Sequence, residues 1–194
     1  MTTRFVMRRA EDADYRDPGP IAPDSSGFTR WSGVGYEDGA VHTDFGMCRL
    51  APDGVVPTHV HSFEESFHLL EGEAILVTPE ATVRLVAGDY GVIPIGVPHS
   101  WHGVAGHTAV WADILTPPPR EQYGSDTYRA PDIAPGVPIA VDPRDPRTRS
   151  FGAIHPGQMD PGRQSQKLLA QSASMRTALL VYSGISLKMM VDSD

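Results

Sequence analysis

Between Thr58 and Glu73 the chain reads THVHSFEESFHLLEGE, with three histidines and four glutamates set among apolar residues. Imidazoles and carboxylates compete for protons and for cations. Their concentration in one strand-like stretch therefore points to acid–base chemistry or to a metal site. His59 and His61 are two apart, and in a strand such residues project from the same face, so both imidazoles point the same way. Glu65 follows a Ser62–Phe63–Glu64 bend and can turn onto that side at the start of the next strand. A further imidazole comes from far along the chain: His99 ends PIGVPH, a tight turn that presents a side chain at a strand start. An HxH pair alone is more often two satisfied or exposed histidines than a metal pair. Glu65 and His99 at compatible spacing tip the balance. Three imidazoles and one carboxylate suit a single divalent first-row ion, one of Fe, Mn, Ni, Co, Cu or Zn. An octahedral ion held by those residues keeps two positions open for water, O2 or substrate.

The elements that must place these residues read as short strands. HTDFGMCRL (42–50), THVHSF (58–63), SFHLLEG (66–72), EAILVT (73–78), ATVRLV (81–86), YGVIPI (90–95), HSWHGV (99–104) and TAVWADIL (108–115) are separated by the turn signals APDG, EG, TPE, AGD and GVP. That spacing predicts an all-β barrel, and no helical period competes with it before residue 160. Residues 1–27 read as a polar, proline-containing arm, and 28–118 as the barrel. Residues 119–162 read as a Pro/Gly-rich connector that crosses the surface, since the ten prolines between Thr116 and Gly162 cannot sit in interior strands or helices. Residues 163–194 read as a short helix followed by one or two strands. There VYSGIS (181–186) echoes RWSGVG (30–35). If the echo marks a duplication, the chain holds the first half of a two-barrel protein.

Two stretches carry a family resemblance. GVVPTHVHSFEESFHLLEG, Gly54 to Gly72, resembles the first cupin motif: glycine, HxH, glutamate after three residues, glycine after six more. GDYGVIPIGVPHSWHG, Gly88 to Gly103, resembles the second, with Pro94, Gly96 and His99 in place. The resemblance implies a double-stranded β-helix, or jelly-roll, barrel. It also implies that His59, His61, Glu65 and His99 are ligands of one metal. The chain departs from the family twice. Four residues, not five, separate Gly54 from His59, and Gly103 stands where the second motif usually closes with Asn.

Other residues have weaker readings. Phe67, Trp101 and Trp111 are candidates to wall a substrate pocket, and equally candidates for barrel core. His68 and His102 have the opposite parity to the ligands and are expected on the other face. Glu64 is expected in solvent and Cys48 in the core. His42 is the spare candidate for an acid or base.

Composition sets outer limits. The net charge of −8 comes with no basic run longer than Arg8–Arg9, which argues against nucleic acid or an anionic membrane surface as partner. The single cysteine excludes an internal disulfide and, with a charged N-terminus that lacks an apolar signal core, predicts a cytoplasmic location. The expected function is a metal-dependent cupin enzyme acting on a small organic molecule, with dioxygenase-type chemistry favoured. A hydrolase resembling the two-barrel ureidoglycine aminohydrolases and a non-catalytic ligand-binding cupin are the alternatives. Unpaired strand edges in the arms predict a homodimer.

Overall fold

The computed structural model describes residues 5–17, 19, 24–142 and 144–153. The chain divides into two units, 1–153 and 154–194, and every described residue belongs to the first. The helix and strands expected within 163–194, and the 181–186 echo, lie outside the described residues. No helix among the described residues is long and apolar enough to cross a membrane.

The architecture is all-β, a curled sheet of jelly-roll type, as expected from the sequence. Its strands are β1 (Ser26–Val34), β2 (Asp44–His61), β3 (Glu64–Glu71), β4 (Glu73–Val77), β5 (Thr82–Val86), β6 (Asp89–Ile93), β7 (His99–Gly103), β8 (Ala109–Thr116), β9 (Thr127–Arg129), β10 (Ile139–Ala140) and β11 (Phe151–Ala153). They hydrogen-bond in the order β10-β5-β4-β7-β2-β8-β3-β6-β11, with β1 and β9 also on β2. Strands β4 to β8 fall within about two residues of the stretches read from sequence.

The start of the barrel differs from that reading. The segments 42–50 and 58–63 belong to one strand of 18 residues, and APDG, read as a turn between them, is a bend inside it. At the bend Asp53 takes a φ of +56°, and Gly54 has no room for a Cβ, which would lie 2.8 Å from the Ser26 carbonyl oxygen. The bend lets β2 serve both halves of the barrel. Residues 44–50 pair with β8, and residues 55–59 pair with β7. β1 is a strand that the sequence reading passed over, because its Ser, Thr, Arg and Gly content lacks a clean apolar alternation. It covers the free edge of β2 from Phe45 to Val55. The proline-rich segment after Thr116 supplies only short edge pairings, in keeping with the ladder donors that proline lacks: β9 on β2, β10 on β5 and β11 on β6.

Alternation along these strands sends Leu50, Val56, Leu69, Leu76, Leu85 and Ile93 into one continuous core. Its centre is aromatic. Phe28 stacks on Trp111 at 5.6 Å, Trp111 stacks on Trp101 at 4.8 Å, and Phe67 meets Trp101 edge-on at 5.0 Å.

Candidate metal centre

β2 presents His59 and His61 inward from its last turnless stretch. β3 carries Glu65 as its second residue, opposite Ile93 of β6, and β7 begins with His99 directly across the ladder from His59. All of these side chains are buried, and one donor atom from each lies within 4.8 Å of the others. The loop before β7 is held to the site, since Gly96 N donates to His61 O at 3.0 Å.

The backbone orients each ring through its Nδ1. Nδ1 of His59 approaches the Pro57 carbonyl at 2.9 Å, Nδ1 of His61 the Phe63 carbonyl at 2.6 Å, and Nδ1 of His99 the Val97 carbonyl at 3.0 Å. A carbonyl oxygen only accepts, so each Nδ1 carries a proton, and the neutral form of each ring turns an Nε2 lone pair inward. Stacking on Phe63, with centroids 4.1 Å apart, also orients His61. Glu65 Oε2 stands 3.2 Å from His61 Nε2 and 3.6 Å from His99 Nε2. Two lone pairs facing a carboxylate at these distances repel one another unless a proton or a metal ion lies between them. His99 Nε2 is, with Trp111 Nε1, one of two buried side-chain polar atoms left without a hydrogen-bond partner among the described residues. Burial, followed by the neighbouring His99, pulls His59 down to a pKa of about 3, so it is neutral at pH 7. Burial pushes the Glu65 carboxyl up, but where His61 and His99 donate Nε2–H to it in the metal-free protein they outweigh that and hold it below the ordinary carboxylate range. Three imidazoles and one carboxylate gathered in a buried pocket fit a divalent first-row ion.

The other candidate residues fall elsewhere. Phe67, Trp101 and Trp111 form the aromatic centre of the core, on the same inward face as Glu65 and His99. His42 is exposed just ahead of β2. His68 and His102 are half-buried on the opposite parity, and Glu64 is exposed. Cys48 is buried, as expected, but it has a charged neighbour.

That neighbour belongs to a group of residues the sequence reading missed. Asp113 is buried on the inward face of β8, where the Arg30 guanidinium from β1 grips it: Nε to Oδ2 at 2.7 Å and Nη2 to Oδ1 at 3.0 Å. Arg30 Nη2 also reaches Asp44 at 2.5 Å, and the Cys48 thiol donates to Asp113 at 3.5 Å. Gly46 makes the passage possible, because a Cβ there would lie 2.6 Å from both Arg30 Cζ and Asp113 Oδ1. Burial pushes both the Asp113 carboxyl and the Cys48 thiol up. The available signal was a charged residue at an inward position of TAVWADIL, two residues from Trp111. A groove of about 610 Å³ opens on the outer side of Arg30, between the N-terminal arm and β1, and none of the cluster residues lines it.

A jelly-roll barrel that gathers three histidines and a glutamate from an HxH strand, the strand after it and a PxGxPH turn has the fold and site of a cupin. The chain matches the family described as Cupin domain over residues 46–115, the body of its barrel. Among solved structures it resembles the polyketide cyclase RemF from Streptomyces resistomycificus at 23% identity, over 75% of this chain and 98% of that one, with a TM-score of 0.51. It also resembles a predicted oxalate decarboxylase from Thermotoga maritima at 18% identity, over 57% of this chain and 98% of that one, TM-score 0.51. A sugar phosphate isomerase of the cupin superfamily from Silicibacter pomeroyi aligns at 20% identity over 59% of this chain and 77% of that one, TM-score 0.50. No curated protein sequence matches the chain.

Proposed function

We propose that this chain is a metal-dependent enzyme that acts on a small organic molecule, with one divalent transition metal held by His59, His61, Glu65 and His99. The reading rests on one observation: three backbone carbonyls turn three Nε2 lone pairs toward one buried carboxylate. An ion held there supplies Lewis-acid polarisation of a chelating enolate or carboxylate and leaves positions open to O2, which is why dioxygenase-type chemistry is the favoured class. The chain's own residues keep the donors neutral or anionic, keep water out and fix the ring orientations. The structural neighbours bear the names of a cyclase, a decarboxylase and an isomerase, and a shared fold at this identity carries none of those reactions over.

The test begins with elemental analysis of the purified full-length chain. About one equivalent of a first-row metal is expected, lost in His59→Ala and in Glu65→Ala. O2 uptake is then followed with catechols, flavonols and β-diketones. Turnover that persists in a metal-free variant would remove the metal from the mechanism. A metal-loaded protein that consumes no O2 but converts a substrate anaerobically would replace the dioxygenase class by a hydrolase or isomerase class.

We also propose a homodimer. The outward faces of β2, β8 and β3 carry Phe45, Val110, Ala112, Ile114 and Leu70, three of which the structure leaves exposed, where a solvated sheet would alternate to polar side chains. Sedimentation of the full chain tests this directly.

A further inference from the structure

The metal site has a rim that lies beyond the family match, because β9 comes from residues after 115. β9 runs antiparallel to the last part of β2 with His59 opposite Arg129, Val60 opposite Tyr128 and His61 opposite Thr127. Directly opposed residues of an antiparallel ladder project from the same face. His59 and His61 face the cluster, so Arg129 and Thr127 stand on the cluster's side of the sheet, one strand further out. β7 already occupies the other edge of β2 at His59, which makes β9 the neighbour on this flank among the described residues.

The position of β9 is fixed. Ser62 N donates to Asp126 O at 3.1 Å, and Arg120 clasps the buried Asp126 carboxylate with Nε at 2.8 Å and Nη2 at 2.7 Å. The Arg129 guanidinium is anchored on one side only, where Nη1 donates to Thr58 O at 2.9 Å. Its Nε and Nη2, the edge that meets a carboxylate two-pronged, have only long contacts: Asp24 Oδ2 at 3.4 Å and Asp132 Oδ1 at 3.7 Å. Charged hydrogen bonds of full strength are shorter, about 2.7–2.9 Å. Asp24 and Asp132 are 56% and 81% exposed and can leave for solvent at little cost. In a chain of net charge −8, this is a cation with an unfilled fork placed beside the site.

We infer that Arg129 is a specificity-determining residue. It binds the second carboxylate of a small dicarboxylic acid whose other end reaches the metal. The inference rests on the metal-centre reading above, but assigns the substrate its charge and its two-ended shape.

The experiment uses the full-length chain loaded with cobalt(II), whose visible absorption reports changes in its coordination. Two probes are titrated: 2-oxoglutarate, and pyruvate, which shares the 2-oxo acid end and lacks the distal carboxylate. 2-Oxoglutarate is expected to bind more tightly than pyruvate by about ten-fold or more, the effect of one charged, two-pronged contact. Arg129→Gln should erase that difference and leave pyruvate binding and cobalt uptake unchanged. Arg129→Lys should keep part of it, and Asp132→Asn should tighten 2-oxoglutarate alone, by roughly two- to three-fold, as a competing carboxylate is removed. If cobalt is taken up but wild type binds both probes equally, or Arg129→Gln still prefers 2-oxoglutarate, the subsite is refuted while the metal centre stands. If cobalt is not taken up, the metal centre falls and the subsite with it.

Discussion

At His59, His61 and His99 a carbonyl two residues away in the chain accepts a hydrogen bond from Nδ1–H, so the local backbone leaves Nε2 as the nitrogen that can bind a metal. The same burial that dries the site makes it acid-sensitive. In the metal-free protein the unfolded chain protonates His59 near its ordinary value of 6.5, whereas the folded chain resists until about 3. Between those pH values the unfolded state holds more protons, so stability falls as pH falls from 6.5 towards 3. Glu65, held below the ordinary carboxylate range, adds a loss of the same sign at the lower end. Melting temperature of the chelated protein against pH should therefore slope downward toward acid. His59→Gln should flatten the upper part of that slope, and an unchanged slope in this variant would show that His59 does not cause it.

The bend in β2 accounts for both departures from the family motifs. The stretch before His59 is one residue short, and the bend it forms, Ala51–Gly54, folds against the end of β7. A Cβ on Gly103 would collide with the Ala51 carbonyl oxygen and lie 2.9 Å from Gly54 N. Asparagine has no room at 103 in this chain, and the shortened approach and the glycine compensate each other. Gly103→Asn is expected to destabilise the barrel by about 1–3 kcal/mol through overpacking. Chemical denaturation measures it, and a neutral result would mean that the bend can move aside. At this scale the Arg30–Asp113 pair does comparable work. It fastens β1 to β8 through the interior, across β2, and leaves Asp113 paired where an unpaired buried carboxylate would be costly.

For the molecule as a whole, the fold and the metal are separable. The aromatic stack and the aliphatic shell around it form a continuous apolar core of their own. Chelation is therefore expected to lower the melting temperature without unfolding the protein at room temperature. Binding at a hundred-fold excess over Kd contributes about 2.7 kcal/mol, which for a chain of this size is roughly 5–11 °C. Far-ultraviolet circular dichroism before and after chelation checks this, and loss of the β signal on chelation would make the metal structural.

The sequence by itself determined the all-β class, the strands from β4 to β8 and the convergence of His59, His61, Glu65 and His99. Strand parity and motif spacing are local, and the family likeness adds the turn that brings His99 back. It did not disclose the carbonyls that set the tautomers, because their direction depends on backbone torsions at Pro57, Phe63 and Val97. Nor did it disclose Arg30 gripping Asp113, since those residues are 83 positions apart and meet only when β1 and β8 close over Gly46. The tertiary structure alone placed Arg129 opposite His59. A ladder between distant strands has no signature in either strand, and only the folded sheet sets which residues face each other across it.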